Sequence, residues 1–234
     1  SFIMFNGPEE QLKQTEFTQP AIFLHSVILA SLIRTLQPEA AAGHSLGEYS
    51  ALFSANAIQF YDAIKLVSTR GKAMQQAGID NPGTLAAIVG LEPLKVEELC
   101  KEASAVGIVQ CANFNSPGQI VISGSIDGVR KAMELCKANG AKLTKELVVS
   151  GAFHSPLMQS AKDALLEALV FTSIYDARFP VYANVTAKPV IKKDEIKNLL
   201  HQQVTSPVRW EETIKNMIAD GFDEFYEIGP GKVL

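Results

Sequence analysis

The chain has 234 residues, of which 47% are hydrophobic and 20% are charged, and its 21 Lys plus Arg against 25 Asp plus Glu leave a net charge of −4. These are the proportions of a globular protein, so they exclude a disordered chain. A chain of this size buries roughly 70–75% of its unfolded surface, which is enough for one or two domains. Because the basic excess of a nucleic-acid-binding protein is absent, we expect no nucleic-acid partner.

Membrane insertion, secretion and metal binding have no support in the sequence. The longest apolar stretch, residues 20–33, contains polar side chains and is shorter than the roughly 20 residues that cross a bilayer. The first residues lack the basic start and the cleavage site of a secretory signal. The three cysteines have no CxxC spacing, so we predict neither disulfides nor a zinc site. We expect a cytoplasmic protein with reduced thiols and no membrane contact.

The first 80 residues are predicted to form helices around one short strand. Apolar residues at helical spacing predict a helix over residues 18–36, which ends before Pro38 because a proline disfavours helix in the residue before it. A short strand over residues 40–43 follows, and a glycine-flanked turn leads from it into a helix that begins at Glu48. Another helix is predicted over residues 60–77.

The pattern changes between residues 84 and 149. Strands are predicted over residues 85–91, 107–114, 119–125 and 141–149, and helices over residues 92–103 and 126–140. The resulting order, βαββαβ, is that of the ferredoxin-like split motif, which is self-contained at this length. It looks like a small domain inserted into a larger one.

The last part of the chain returns to alternating helices and short strands. Helices are predicted over residues 155–169, 194–204 and 210–219, and strands over residues 179–185 and 224–229. This alternation predicts an open, mostly parallel α/β sheet. We therefore predict an α/β protein divided into residues 1–80, 81–149 and 150–234, in which the first and last ranges form one large subdomain.

The pentapeptide GHSLG fits the G-x-S-x-G pattern of a strand-to-helix turn that exposes a reactive serine at the top of a sheet. Gly43 and Gly47 are expected because side chains at those positions would clash with neighbouring strands. We predict that Ser45 is a nucleophile and that the Leu46 N–H, at the start of a helix, donates to an oxyanion. The alternative is that Ser45 only caps this helix, with Glu48 as its capping partner.

A serine hydroxyl needs a base within hydrogen-bond reach, and four histidines are available. His25 and His201 lie in predicted helices, where a core or surface position is the better interpretation. His44 adjoins the serine but faces the other side of the turn, so a pocket-lining role and a structural role are equally supported. His154 precedes a Ser-Pro helix start, which places its ring in a loop at the mouth of a sheet and favours neutral imidazole. We predict His154 as the base.

No acidic residue stands out as the third member of a hydrolase triad. A backbone carbonyl can orient a histidine instead, and the helix that ends before Ser206 leaves its last carbonyls without intrahelical partners. Gln203 lies in that last turn. A carbonyl in this turn is therefore a candidate for the orienting group.

One charged residue, Arg70, interrupts the apolar face of the helix predicted over residues 60–77. The other members of that face are Phe60, Ala63, Val67 and Met74. A buried guanidinium is costly unless it pairs with an anion. Arg70 therefore either holds a substrate carboxylate in its planar fork, or forms an internal ion pair, or extends its charged end to solvent. The helix alone supports the functional and the structural interpretation equally.

Seven segments form a series along the chain. They are TQPA (18–21), AGHSLGEYSAL (42–52), TRGKAMQ (69–75), NFNSPGQIVISG (113–124), GAFHSPLM (151–158), SPVRW (206–210) and EIGPGKVL (227–234). In this order and spacing, and together with Ser45, Arg70 and His154, the sequence resembles the malonyl-CoA:acyl carrier protein transacylase family of fatty-acid synthesis. The resemblance covers essentially the whole chain.

The resemblance implies an α/β-hydrolase-like large subdomain that carries a ferredoxin-like small one. It implies ping-pong transfer of the malonyl group from malonyl-CoA to the phosphopantetheine thiol of acyl carrier protein through a malonyl-serine, with no metal or redox cofactor. Malonyl-CoA and acyl carrier protein are then the partners. Two rival hypotheses are a serine esterase or thioesterase, in which water cleaves the acyl-enzyme, and a truncated module that binds the carrier protein without turnover.

The resemblance also implies a role for each matching residue. Ser45 resembles the acylated serine, and His154 resembles its base. Gln203 resembles the residue whose main-chain oxygen orients that base, and Leu46 supplies one oxyanion N–H. Arg70 resembles the arginine that grips the malonyl carboxylate.

The substrate-binding residues predicted in addition to Arg70 are His44, Met74, Asn113, Asn115 and Phe153. Asn113 and Asn115 match the family's NFNSPGQ segment, which lines the cleft, although a turn-forming role is equally supported for Asn115. Leu46 and Phe153 resemble the residues that accompany malonyl rather than methylmalonyl specificity in related polyketide acyltransferases.

The sequence departs from the family at both ends. The family's N-terminal GQGSQ loop, whose glutamine completes the oxyanion hole, and its final elements have no counterpart in these 234 residues. We therefore expect a fragment. The loss of one of two oxyanion donors typically lowers the rate by about 100- to 1000-fold.

Overall fold

The computed structural model of the chain describes residues 2–33, 35 and 37–231. The elements of the first part are α1 (Phe2–Asn6), α2 (Glu9–Leu12), α3 (Thr15–Leu32), β1 (Ala41–Ala42), α4 (Gly47–Ser54) and α5 (Phe60–Asp80). The elements of the middle part are β2 (Gly83–Val89), α6 (Pro93–Ala103), β3 (Val109–Ser116), β4 (Gln119–Ser125), α7 (Ile126–Ala138) and β5 (Leu143–Leu147). The last part holds a 3₁₀ helix (Pro156–Met158), α8 (Gln159–Val170), β6 (Val181–Tyr182), β7 (Pro189–Val190), α9 (Lys193–Gln203) and α10 (Trp210–Ala219).

The middle part forms a four-stranded antiparallel sheet in the order β3-β4-β2-β5. Its strands alternate with α6 and α7 in the order βαββαβ, so the predicted ferredoxin-like arrangement is confirmed. Apolar side chains of the sheet and of both helices share one core, which also holds the buried free thiols of Cys100, Cys111 and Cys136. The prediction of reduced cysteines agrees with this placement.

The rest of the chain builds a second core, mainly from α3, α4, α5, α8 and α9. Its sheet has the order β1-β6-β7, with β1 parallel to β6 and β6 antiparallel to β7. The α/β fold is confirmed, but this sheet is shorter and less parallel than expected. Just after β1, where a longer strand would pair through its backbone, the side chain of Asn184 bonds the Gly43 carbonyl and the Ser45 N–H.

The two cores come from different stretches of the chain. Buried members of the larger core lie within residues 23–77 and 158–204, and those of the smaller core lie within residues 86–136. This separation supports the division into residues 1–80, 81–149 and 150–234, which we retain as a proposal.

The first long helix differs from its predicted position. α3 begins at Thr15, three residues before the predicted start, and ends at Leu32; the predicted end at Leu36 lies outside the described residues. The Thr15 N–H donates to Gln75 Oε1 of α5 at 2.9 Å, so a side chain from 60 residues further along the chain satisfies this helix end. Over the described part of the chain, no helix combines the length and the apolar character needed to cross a membrane.

The strand predicted over residues 224–229 is wrong, since no strand is present there in the described part of the chain. A strand persists through hydrogen bonds to a neighbour, and this segment joins neither described sheet. Phe225 and Tyr226 are 46% and 59% exposed. The nearby ring of Phe222 packs edge-on against Tyr182 of β6.

α5 lies close to the loop that leads to His154. Gly78 is buried in α5, and a Cβ atom at this position would lie 2.2 Å from the Ser150 carbonyl oxygen. On the same loop, Ser150 Oγ lies 2.5 Å from Thr15 Oγ1 of α3. Because α5 also carries Arg70, this close contact fixes the loop of His154 relative to the helix of the arginine.

The substitution Gly78→Ala tests this contact. The new methyl group forces the Ser150 backbone away, so we expect the free energy of unfolding to fall by about 1–3 kcal/mol despite the higher helix propensity of alanine. Urea unfolding measures the change. Lys72→Ala on the exposed side of α5 is the control and should stay within about 0.5 kcal/mol of the parent. A Gly78→Ala protein as stable as the control would contradict the contact.

Candidate active site

The turn between β1 and α4 holds Ser45 in a left-handed backbone conformation, with φ of 51°. This region is unfavourable for a residue with a side chain and marks a strained turn. The Ser45 hydroxyl faces two side chains and does not cap α4, so the alternative that Ser45 serves only as a helix cap is wrong. Its proposed capping partner, Glu48, is instead buried against α9.

The two glycines of the turn differ in whether a side chain would fit at their positions. A Cβ atom on Gly43 would lie 2.0 Å from the carbonyl carbon of Gly47, so the chain can pass there only without a side chain. A Cβ atom on Gly47 would meet no described atom within 4 Å. The expectation that both glycines avoid clashes with neighbouring strands is therefore wrong for Gly47, and at Gly43 the obstacle is the turn itself.

His154 faces Ser45 with its Nε2 atom, which lies 2.8 Å from Ser45 Oγ. Its Nδ1 atom lies 2.9 Å from the Gln203 carbonyl oxygen and 3.1 Å from the Ser206 carbonyl oxygen. Because carbonyl oxygens only accept hydrogen bonds, Nδ1 carries the hydrogen and Nε2 is left to accept the Ser45 proton. His154 also has a left-handed backbone, with φ of 57°.

The imidazole of His154 is neutral at physiological pH. Burial is the main cause, and the nearby positive charge of Arg70 adds to it, so that the pKa of His154 falls to about 3. The prediction of neutral imidazole rested on the positive end of a helix. The structure instead attributes the shift to desolvation and to a neighbouring cation.

Arg70 is 1% exposed and lies next to the same serine. Its Nη2 donates to Ser45 Oγ and to Gln203 Oε1, each at 3.0 Å, and its Nη1 donates to Gln19 Oε1 at 2.6 Å. The guanidinium also lies over the ring of Tyr49, 5.5 Å from the centroid. Arg70 makes no ion pair with any described residue, and its Nε has no hydrogen-bond partner. The internal ion pair and the solvent-exposed arginine are both ruled out for the described residues.

The Leu46 N–H follows directly after the serine, where α4 begins. Leu46 is the N-cap residue of α4, with helical φ and ψ, and no acceptor in the described part of the chain pairs with its N–H. A free N–H at a helix start is the geometry expected for a donor to a developing oxyanion.

Three of the predicted substrate-binding residues, His44, Met74 and Asn113, contact residues other than Ser45 and His154. His44 Nε2 lies 3.0 Å from Asn115 Oδ1, and its ring packs against Trp210. The buried Met74 accepts a hydrogen bond at its sulfur from Gln19 Nε2, at 3.4 Å. Asn113 is buried where β3 bridges to Val208.

The remaining residues considered from the sequence are Phe153 and the two helical histidines. Phe153, next to His154 in the chain, packs against the larger core. His25 is exposed on α3, and His201 is half-buried on α9. Both of these histidines have the structural positions that were expected for them.

Sequence reasoning missed Asn184 and the side-chain role of Gln203. Asn184 Oδ1 accepts from the Ser45 N–H at 2.6 Å, and its Nδ2 donates to the Gly43 carbonyl at 2.7 Å. Gln203 Nε2 donates to the Ser45 carbonyl at 3.0 Å. The signal for Asn184 was present, since it follows β6 and the carboxyl ends of the parallel strands β1 and β6 meet at one edge.

The centre contains no recognisable metal site. Among residues 2–33, 35 and 37–231, no group of three or more His, Cys, Asp or Glu side chains is arranged to hold a metal ion. The fold and the contacts of Ser45 are those of the α/β proteins in which a serine paired with a histidine can carry an acyl group.

Comparison with known proteins narrows this class. The acyl transferase domain family matches residues 1–234. The malonyl CoA-acyl carrier protein transacylase of Bacillus subtilis (strain 168) is 45% identical over 237 residues, which cover 100% of this chain and 75% of that protein. The 1.7 Å crystal structure of an acyl carrier protein S-malonyltransferase from Vibrio cholerae matches with a TM-score of 0.93 and 43% identity, covering 97% of this chain and 76% of that one.

A malonyl-transacylase solved in complex with a type II polyketide acyl-carrier protein also matches, with a TM-score of 0.94 and 42% identity over 97% of this chain and 75% of that one. The chain belongs to the acyl transferase domain family and, within it, to the malonyl CoA-acyl carrier protein transacylases.

The two glycines of the turn give a matched pair of substitutions. We expect Gly43→Ala to lower the free energy of unfolding by about 3 kcal/mol or more, because its methyl group overlaps backbone atoms. Gly47→Ala should stay within about 0.5 kcal/mol of the parent, because its methyl group enters open space. Thermal or urea unfolding of both variants measures the difference. Equal losses in the two variants would contradict the described turn.

Proposed function

We propose that this chain transfers the malonyl group of malonyl-CoA to the phosphopantetheine thiol of acyl carrier protein, through a malonyl ester of Ser45. One observation carries the proposal: Ser45 Oγ lies 2.8 Å from His154 Nε2 and 3.0 Å from Arg70 Nη2. A nucleophile, a neutral base and a buried cation therefore meet at one oxygen. The names of the relatives agree with this chemistry, as does the complex of one of them with a carrier protein.

In the first half-reaction Ser45 Oγ attacks the thioester carbon of malonyl-CoA while its proton passes to His154 Nε2. The carbonyl oxygen becomes negative, and the Leu46 N–H donates to it. When the C–S bond breaks, His154 returns the proton to the sulfur of coenzyme A. The Gln203 and Ser206 carbonyls accept the Nδ1 hydrogen throughout, which keeps the ring in the tautomer that this exchange requires.

The second half-reaction reverses these steps with a new thiol. The phosphopantetheine thiol of the carrier protein loses its proton to His154 Nε2 and attacks the ester carbon. Ser45 leaves as the alkoxide and receives that proton back from His154. The chain ends in its starting state, and the scheme uses only side-chain and backbone groups of this chain and the two substrates. We therefore propose that no cofactor takes part.

Arg70 selects the acyl group in this proposal. A carboxylate bound to its planar guanidinium would replace weak neutral partners by a charge-assisted pair. An acyl group without a carboxylate would leave the buried cation without that pair, which penalises it. We propose pocket-lining roles beside it for His44, Met74, Asn113, Asn115 and Phe153. The cytoplasmic location expected from the sequence stays a prediction.

The first test is the intact mass of the protein after mixing with malonyl-CoA. We expect a malonyl adduct that is absent from Ser45→Ala and is discharged by carrier protein, because the ester forms on the serine oxygen and awaits a thiol. Discharge by water at the same rate without the carrier would favour an esterase. A folded wild-type chain that forms no adduct would contradict catalysis and favour a binding module.

The second test compares acyl groups in Arg70→Ala. We expect malonyl transfer to fall by about 100-fold relative to acetyl transfer, since a charge-assisted pair is lost for malonyl only. Arg70→Lys, which keeps the charge without the fork, should retain part of the preference. Both substrates are measured by carrier-protein loading, and the ratio corrects for general damage to the site. Equal losses for malonyl and acetyl transfer would overturn the assignment.

A further inference from the structure

One carboxylate near the centre has no part in the chemistry described so far. Glu48, on α4, is 2% exposed. Its Oε2 accepts from Gln203 Nε2 at 2.8 Å and from the Asn184 N–H at 3.0 Å. A glutamate is rarely buried to this extent without a reason, and both of its donors belong to residues that contact the Ser45 turn.

The Glu48 carboxylate fixes which way the Gln203 amide faces. Because a carboxylate oxygen only accepts, the NH₂ group of Gln203 turns towards Glu48, and its Oε1 is left to accept from Arg70 Nη2 at 3.0 Å. The same NH₂ group also donates to the Ser45 carbonyl. The hydrogen bonds therefore run from Glu48 through one amide to the guanidinium.

The negative charge of Glu48 balances the positive charge of Arg70. Among the described residues, Glu48 is the carboxylate whose charge acts on Arg70. A buried guanidinium with only neutral contacts is costly, so a carboxylate one side chain away stabilises it. We propose that Glu48 is a positioning residue of the malonyl site: it orients Gln203 and Arg70, and it acts as the counter-charge of Arg70 until the substrate carboxylate replaces it.

This proposal rests on the proposed function and has a consequence for protons. Once a malonyl group is bound, two carboxylates compete for one guanidinium, and the one without direct contact is the one that gains a proton. Burial, opposed by the hydrogen bonds from Asn184 and Gln203 and by Arg70, raises the pKa of Glu48 to about 7. Malonyl binding should raise this pKa further, so malonylation near neutral pH takes up a proton.

The pKa values of the other titratable groups around Glu48 are shifted away from that of Glu48. Tyr49, its neighbour on α4, has a pKa raised by burial to about 12, and His154 has one lowered by burial to about 3. Burial also lowers the pKa of His44. Arg70 is the cation that faces Glu48 from α5, and the residues that bond it from β6 and α9, Asn184 and Gln203, do not titrate.

The sign of the pH dependence follows. Below pH 7 Glu48 is protonated and does not compete with the substrate for Arg70, whereas above pH 7 it is ionised and does. We expect kcat/KM for a malonyl thioester to fall by about fivefold or more between pH 6 and pH 8.5, a coupling of ordinary size for interacting buried sites. Malonyl-N-acetylcysteamine is the substrate to use, because it lacks the titrating phosphates of coenzyme A.

Three variants separate charge from position. Glu48→Gln keeps the acceptor oxygen but not the charge, so its profile should be flat over this range. Glu48→Asp keeps the charge on a shorter side chain that cannot reach both donors, so it should lose kcat while retaining the pH dependence. Glu102→Gln, an exposed glutamate of α6, is the charge-matched control and should follow the wild-type profile.

A measurement on the wild-type chain needs no variant. In weakly buffered solution with a pH indicator at pH 7, we expect net proton uptake as the malonyl-serine forms, since the bound malonyl carboxylate raises the pKa of Glu48. Acylation itself is neutral, because the serine proton goes to coenzyme A. Acetyl-CoA should give no uptake per adduct.

A Glu48→Gln profile that falls like the wild type, or malonylation without proton uptake, would overturn the role of Glu48 while leaving the malonyl-serine in place. A wild-type chain that forms no malonyl-serine would instead overturn the proposed function. The two failures are therefore distinguishable in one set of samples.

Discussion

A guanidinium held in the interior without direct contact to any described carboxylate is the constraint on which the rest of the site depends. An isolated charge at the depth of Arg70 costs several kcal/mol, and the surroundings offset that cost with many weak contacts. Those contacts determine the positions of Gln19, Gln203 and Tyr49. Because one of the acceptors is the Ser45 hydroxyl, the same contacts also fix the position of the nucleophile.

The backbone conformation also helps to position the nucleophile and the base. Ser45 and His154 are both left-handed, with φ of 51° and 57°, and neither is a glycine. Strain of this kind persists only where surrounding contacts over-determine it. At Ser45 they come from the Asn184 side chain, and at His154 from the two carbonyls that bond Nδ1. Ser45 and His154 are therefore held in their relative positions before a substrate arrives, so less reorganisation is needed during the reaction.

Much of this architecture could be predicted from local patterns. The GHSLG turn, the βαββαβ order and the apolar face interrupted by Arg70 are each visible within a few residues, because steric limits and periodicity act over short distances. The turn was found for a partly wrong reason, since only Gly43 is sterically required. The short sheet of the larger part and the absent strand over residues 224–229 depend on which backbone lies alongside, and no local pattern contains that information.

The contacts that orient Ser45 and His154 were harder to predict, because they join residues that are far apart in the sequence. Ser45 meets Asn184 across 139 positions and Gln203 across 158, so only the fold brings these residues together. The local pattern of a glutamate three residues after a serine predicts helix capping by Glu48. Its burial against α9 overrides that pattern, since Gln203 and the Asn184 backbone offer donors that solvent would otherwise supply.

The smaller sheet also takes part in holding the base. Gln110, on β3, donates from Nε2 to the carbonyls of both His154 and Thr205, at 2.9 and 3.1 Å. One amide thereby joins the loop of the base to the segment whose carbonyls orient it. Further along β3, the Phe114 N–H donates to the Val208 carbonyl at 2.9 Å. β3 of the smaller sheet therefore ties the loop of His154 to the segment that follows α9, whose carbonyls orient the ring.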